Sequence, residues 1–384
     1  MLKYSVGLDI SGKKIDLCIS VIDTQQKVVV KSSRTVSNTM AGFTELDSWV
    51  QKHHKDKSIP LVTCMEATGI YYENCALYLF RKGYKVSVIL PNKAKKYFQA
   101  LGMKSKNDSI DAKGLAQMGA EQALAIWQPF GEYFYALRTL TRQYQNLQEQ
   151  RTVLTNQLHA IENAMFRNKM IEKQLKKLIK VMEKQLEDLN NAIKKHIDSN
   201  KEVKQKVENI CKIKGIGSLT VSVVIAETNG FGLFENAKQL VSYAGYDVIE
   251  NQSGTHNGKT KISKKGNSRI RRAMHMPAFS VIRYQQKPFV QLFERTFEKH
   301  KIKMKSYVAV QKKLLTTIYA LWKKNEAFVE DYKSIISMEM EQVLSSQVGF
   351  EKAGEKNNHT QGVVTQGKHP REISQYASSQ VLQK

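Results

Sequence analysis

Four acidic residues in a strongly basic chain pose the chemical question. Asp9 closes one apolar stretch, KYSVGLD, and Glu66 closes another, PLVTCME. Asp108 and Asp111 lie three residues apart in KSKNDSIDAKGL, a spacing that turns both to one side of a helix. Carboxylates at two strand ends and one helix start can converge at the carboxyl edge of a sheet. Their mutual repulsion there calls for a divalent cation, and Mg2+ (or Mn2+) prefers oxygen ligands of this kind. Two such ions about 3.5–4 Å apart can activate a nucleophile and stabilise a leaving oxygen on phosphorus. Taken singly, Asp108 reads equally as an N-cap and Asp111 as a first-turn charge that suits the helix dipole.

Phosphate is also what the composition asks for. The 384 residues carry 60 Lys+Arg against 35 Asp+Glu, a formal net charge of +25. An excess of that size points to a polyanionic partner. The densest basic run is Lys259, Lys261, Lys264, Lys265, Arg269, Arg271 and Arg272, and Gly266-Asn267 within it suits a turn and helix start. Contact with phosphate, giving affinity and register, is the expected role of this run and of Asn267. A solvated helix face is the bland alternative. In ICKIKGIGSLT, Gly215 and Gly217 separate two helical runs at helix-hairpin-helix spacing. Backbone N–H groups and a helix N-terminus in such a turn can hold a phosphate, although a glycine turn between two core helices has the same letters.

The elements that must position these groups follow from periodicity. Residues 1–128 read as βββαβαβα, an α/β sheet whose short first connections suit antiparallel pairing and whose later crossovers suit parallel pairing. Residues 129–207 hold two heptad-like series. Leu137, Leu140, Tyr144, Leu147, Leu154, Leu158, Ile161 and Met165 form the first; Ile171, Leu175, Leu178, Met182, Leu186, Leu189 and Ile193 form the second. They predict a helical hairpin, or a bent helix that pairs with a second subunit. Residues 208–334 read as mainly helical, and 335–384 as a polar, disordered tail. The four cysteines, Cys18, Cys64, Cys75 and Cys211, form no C-x-x-C pair and read as reduced thiols. No apolar run approaches the roughly 20 residues needed to span a bilayer, and no signal-peptide core begins the chain. A soluble cytoplasmic protein with no membrane partner is expected.

The blocks GLDIS, MEATG and KSKNDSIDAKGLAQ, with IKGIGSLTVSVVIAE, FENAKQLVSYAG and QSG…ISKKGNSRIRRAM farther on, resemble the insertion-sequence transposases of the 110/1111 group. The resemblance covers roughly residues 4–120 and 208–285. It implies a ribonuclease-H/RuvC-like domain at 1–128 whose catalytic, metal-binding acids are Asp9, Glu66, Asp108 and Asp111. Coiled-coil dimerisation helices would follow over 129–207, and a second transposase domain over 208–334. It further implies a serine nucleophile, here Ser253 before Gly254, donor and target DNA as substrates, and a structured noncoding guide RNA. A homodimer or tetramer is expected from the long heptad-patterned helices, with Ser253 and the acids meeting either within a subunit or, the favoured arrangement, between subunits. One block departs from the group. The loop that commonly reads A-G-L-D-P is AGYDV here, with Tyr246 and Val248 at the Leu and Pro positions, which puts the rigidity of the loop in question. Two other readings stay open: a metal-dependent RuvC-like DNA endonuclease that uses water, and a sugar-kinase or actin-like ATPase, which would need a second glycine-rich motif.

Overall fold

The computed structural model describes residues 1–103, 107–250, 252–258 and 260–330. Lys259 of the basic run and the polar segment 335–384 lie outside the described residues. The chain divides into two compact units, one of residues 1–197, 222–245 and 263–270, the other of residues 198–221, 246–262 and the chain from 271.

The first unit is built on β1 (Lys3–Ile10), β2 (Lys14–Ile22), β3 (Val28–Ser37), α1 (Met40–His53), β4 (Leu61–Glu66), α2 (Glu73–Arg81), β5 (Lys85–Ile89), α3 (Pro91–Ala100) and α4 (Asp108–Glu121). The sheet order is β3-β2-β1-β4-β5, antiparallel across β3, β2 and β1, and parallel across β1, β4 and β5. This is the mixed sheet expected from the sequence.

Strand alternation divides the core in two. Tyr4, Val6, Leu8 and Ile10 of β1, with Ile15, Leu17, Ile19 and Val21 of β2, bury bulky side chains against Phe43, Leu46, Trp49 and Val50 of α1 and Cys75, Ala76 and Leu79 of α2. The intervening positions are small: Ser5 and Gly7 on β1, Cys18 and Ser20 on β2, Cys64 on β4. On this thin face α4 lies almost backbone to backbone with β1. A Cβ at Gly7 would stand 2.1 Å from Ala112 O and 2.2 Å from Ala116 N, and one at Gly119 would stand 2.3 Å from Ser5 Oγ. The residue contacts set α4 antiparallel to β1, so the helix N-terminus overhangs the strand end that carries Asp9.

From Trp127 the chain passes into α5 (Glu132–Glu162) and α6 (Lys169–Asp198), which run antiparallel. Tyr133 stacks on His196 at their open end, with ring centroids 4.3 Å apart. Arg151 pairs with Glu183 at 2.9 Å midway, and Lys176 with Glu162 at 2.8 Å near the tip. Leu186, Ile193 and Ile197 are buried along α6, while Met165 and Phe166 at the tip and Leu178 and Val181 on α6 are exposed.

Helices dominate the remainder: α7 (Lys201–Cys211), α8 (Ser218–Glu227), α9 (Ala237–Ala244), α10 (Ser268–Arg283), α11 (Lys287–His300) and α12 (Lys303–Lys324). Between α9 and α10 run four two-residue strands, β6 (Val248–Ile249), β7 (Gln252–Ser253), β8 (His256–Asn257) and β9 (Lys261–Ile262). A mainly helical second half was expected. Among the described residues no helix is long and apolar enough to cross a membrane.

Candidate carboxylate site and nucleic-acid interface

The small-residue face of the sheet gathers the acids. Asp9 occupies the alternate position after Gly7 and so lies on the α4 side of β1, near its carboxyl end. Glu66 ends the parallel neighbour β4, where Thr68 Oγ1 donates to its Oε1 at 3.2 Å. Asp108 and Asp111 sit in the first turn of α4. Neither is the cap: Asn107 fills that position, its side chain accepting from the Ile110 N–H at 2.8 Å. The reading of Asp108 as an N-cap is thereby corrected, and both aspartates are left to the helix N-terminus, whose dipole favours negative charge.

The acids act on one another. The Asp9 carboxyl is pushed up from 3.8 to about 6, first by burial and then by the charges of Asp111, Asp108, Glu66 and Asp16. All four sequence-chosen acids therefore fall in one electrostatic neighbourhood, and Asp16 makes a fifth. Asp16 pairs directly with Asp9 across β1 and β2, an unfavourable like-charge pairing unless a cation intervenes. Here a cation does. Lys14 Nζ lies 3.0 Å from Asp16 Oδ2 and 2.8 Å from Asp108 Oδ2, and these carboxylates hold its ammonium protonated well above the ordinary lysine range.

Oxygen-only donors, mutual repulsion and an ammonium already standing among them fit a hard divalent cation. Among the described residues, no three Asp, Glu, His or Cys side chains are grouped so as to hold a metal ion by themselves. Mg2+ keeps several waters and takes one or two carboxylates plus phosphate oxygens, so pairs of these acids could serve it. Sequence reading missed Asp16 and Lys14. Once the turn is placed at Ser11–Lys14, counting outward in antiparallel register pairs residue 16 with residue 9, and that count is the signal that finds Asp16; Lys14 is found only through the packing of α4, which brings Asp108 to it.

Ser253 lies in the second unit. It is exposed and precedes a tight turn in which Gly254 has φ +54°, and it pairs in backbone register with His256. Below this hairpin, β6 pairs with β9, Val248 facing Ile262 and Ile249 facing Lys261. Tyr246, the departure from the family pattern, is 1% exposed, and its hydroxyl donates to Gln311 Oε1 at 3.0 Å. The tyrosine is an anchor for this loop.

In the first unit, the segments that bracket 246–262 in sequence are tied to each other. Lys264 N–H donates to Gly245 O at 3.1 Å and Asn267 N–H to Tyr243 O at 2.7 Å. Glu227, with a side chain 1% exposed, holds them: Arg142 grips it through two bonds of 2.7 and 2.8 Å, and Asn267 Nδ2 donates to Oε2 at 2.8 Å. Burial alone would raise the Glu227 carboxyl, but the Arg142 guanidinium outweighs it and holds the group below the usual range. Removing one partner leaves a buried charge uncompensated. Arg142→Ala is expected to destabilise the protein by about 3 kcal/mol, read as a shift of the urea midpoint.

The remaining expected contacts divide by environment. Asn267 spends its amide on Glu227 and its Oδ1 on the N–H groups of Arg269 and Ile270. Arg269 bonds Gln145 at 2.9 Å and Asn146 at 3.2 Å. Lys261, Lys264, Lys265 and Arg272 are exposed, and Arg271 is half-buried. Gly215 has φ +104°, and a Cβ there would meet Ser280 at 2.9 Å, so close packing accounts for that glycine; Gly217 has open space around it.

A basic chain with acids at the carboxyl edge of a mixed sheet, followed by helices bearing an exposed basic loop, has the build of a DNA transposase of the DEDD class. Residues 6–167 match the model for the DEDD members of the IS110 group, described as "Transposase", and residues 207–293 match the model described as "Transposase IS116/IS110/IS902 family". The chain belongs to this family and is a transposase. It is 29% identical over 329 residues to the pilin gene-inverting protein of Moraxella bovis, a match that spans 85% of this chain and 98% of that one. The pilin gene-inverting protein of Moraxella lacunata matches to the same extent, 29% over 329 residues. T. thermophilus RuvC in complex with a Holliday junction substrate aligns at 14% identity over 31% of this chain and 93% of its own, with a TM-score of 0.24.

Proposed function

We propose that this transposase cuts and rejoins DNA with Ser253 as the attacking group, at a phosphate served by Mg2+ or Mn2+ ions on Asp9, Glu66, Asp108 and Asp111. The observation that supports the metal part of the reading is the convergence of Asp9 near the end of β1, Glu66 at the end of β4, and Asp108 and Asp111 in the first turn of α4, where burial and then the neighbouring charges raise the Asp9 carboxyl. A bound divalent ion would polarise the phosphate and stabilise the leaving oxygen. The side chain of Ser253 forms a phosphoserine ester as the bond to the leaving sugar oxygen breaks, and the hydroxyl proton passes to solvent or a base; reversal onto a new sugar oxygen conserves the bond. Exposed Lys261, Lys264, Lys265 and Arg272, with Arg271, and the Gly215–Gly217 turn supply contacts to the nucleic-acid backbone. Lys259, outside the described residues, belongs to the same run.

The relatives' name supports inversion of a DNA segment as one outcome of this chemistry. Guidance by a structured RNA of the element, and a homodimer or tetramer held by α5 and α6, complete the proposal. Apolar side chains exposed on that hairpin, Leu178 and Val181 among them, support the association.

Ser253→Ala protein is expected to yield no protein–DNA adduct on denaturing gels, and Ser253→Cys to yield a slow one. RNA-free and RNA-loaded preparations of the parent test guidance in the same gel, and light scattering gives the oligomer. An adduct retained by Ser253→Ala removes the serine from the mechanism. Cleavage without any adduct in the parent favours the endonuclease that uses water.

A further inference from the structure

The β1–β2 turn delivers an ammonium to the carboxylates by a fixed route. Lys14 opens β2, and Ser11 holds its backbone: the Lys14 N–H donates to Ser11 Oγ at 3.2 Å, and the N–H and hydroxyl of Ser11 both donate to Lys14 O at 2.9 Å. The two acids that the ammonium touches differ in kind. Asp16 is 8% exposed, and its Oδ1 accepts from Thr35 Oγ1 at 2.6 Å. It is committed to the strand face, and a buried carboxylate needs a partner. Asp108 stands half exposed at the first residue of α4 and belongs to the metal-binding quartet. Asp16 thus seats the lysine whether or not Asp108 is engaged.

Ammonium and metal compete for the same oxygen. Lys14 Nζ is 2.8 Å from Asp108 Oδ2. A divalent ion such as Mg2+ demands its ligand oxygen at about 2.1 Å, and two cations on one carboxylate edge repel strongly. We propose that Lys14, seated on Asp16, is a resident counter-ion that occupies Asp108 while the site lacks metal and yields it when a divalent cation binds. The inference rests on the reading of Asp9, Glu66, Asp108 and Asp111 as metal ligands. The exchange keeps the metal-free acids tolerable to the fold. It also leaves the released ammonium on Asp16, beside the ion, where a phosphodiester oxygen is the anion it would meet.

The test uses the full chain without nucleic acid. Mn2+ binding is followed by electron paramagnetic resonance of the free ion, and lysine acetylation by sparing acetic anhydride is read residue by residue in a mass spectrometer. Lys14→Met should bind Mn2+ about tenfold more tightly than the parent. Lys13→Met removes the same charge from the exposed neighbouring position and should change affinity less than about twofold, because solvent and salt screen it. In the parent, saturating Mn2+ should raise acetylation of Lys14 several-fold and leave Lys13 unmoved. Equal Mn2+ affinity in parent and Lys14→Met, or Lys14 acetylation indifferent to bound Mn2+, overturns the exchange and leaves the metal site standing. Absence of Mn2+ binding in both proteins overturns the metal reading and the exchange together. The acetylation arm needs no variant and so stands even if Lys14→Met folds poorly.

Discussion

Asp9→Asn protein will lose recombination and, metal-free, will melt at a higher temperature than the parent. Both effects come from one charge. Asp9 is half-buried among Asp111, Asp108, Glu66 and Asp16, and its carboxyl titrates near 6 in place of 3.8. Between those values the folded chain holds a proton that the unfolded chain has lost. Stability therefore falls as pH rises through the window, and the full cost is reached above about 6. Asparagine carries no charge at any pH and escapes the cost. The melting difference should be near zero at about pH 4, should grow to about 1–2 kcal/mol above pH 6 once solvent screening is discounted, and should stay flat beyond. Saturating Mg2+ should erase it by stabilising the parent. On the proposed metal reading, recombination should drop at least about a thousandfold, because that reading makes Asp9 one of the ligands of the ion that stabilises the leaving oxygen. DNA binding should stay within about threefold of the parent, since the proposal assigns it to lysine and arginine contacts with phosphate. Asp111→Asn should share the loss of activity. Parental recombination by Asp9→Asn in Mg2+, or a melting gap that ignores pH, would sink the account.

Gly7→Val is the second large effect, and it is a test of position. A Cβ at residue 7 meets Ala112 O at 2.1 Å and Ala116 N at 2.2 Å, both backbone atoms that cannot rotate aside. Helix α4 must lift from the sheet, taking Asp108 and Asp111 away from Asp9. The expected loss is more than about 3 kcal/mol, as for overpacking with backbone displacement, and activity should fall with it. Gly83→Ala serves as a control. It also changes a glycine, at φ +84°, but with nothing within 4 Å of the new Cβ, so its cost is backbone strain alone, about 1 kcal/mol. Urea unfolding of the three proteins decides the matter. A Gly7→Val midpoint equal to that of Gly83→Ala would falsify the close seat of α4 on β1.

The contrast between these residues shows what a sequence of this kind makes legible. Asp9 and Glu66 could be chosen because each terminates an apolar run, and strand ends share an edge in a parallel pair. Asp108 and Asp111 could be chosen because a helix period is local. Asp16 sits inside IDLCISVID as an ordinary alternate position of a strand, and only pairing with β1 brings it opposite Asp9. Lys14 was one lysine among many until α4 brought Asp108 to it, beside Asp16 of its own strand. Glu227 ends the apolar run SLTVSVVIAE, and Arg142 lies 85 residues earlier in a helix read for its heptads; no spacing rule links them. Asn267 shows the opposite case: its helix-start position was legible, but the amide that looked ready for phosphate is bound to Glu227.

The first unit is assembled from three separate stretches, the last ending at residue 270. During synthesis the sheet and the α5–α6 hairpin leave the ribosome long before Glu227 exists to meet Arg142, and Asn267 follows later still. A nascent chain therefore has its acids in place while the segments flanking the serine loop stay untied until Asn267 is made, and Tyr246 waits longer still for Gln311. Premature stops before residue 227 leave Arg142 without its carboxylate and the first unit without the two later stretches that complete it.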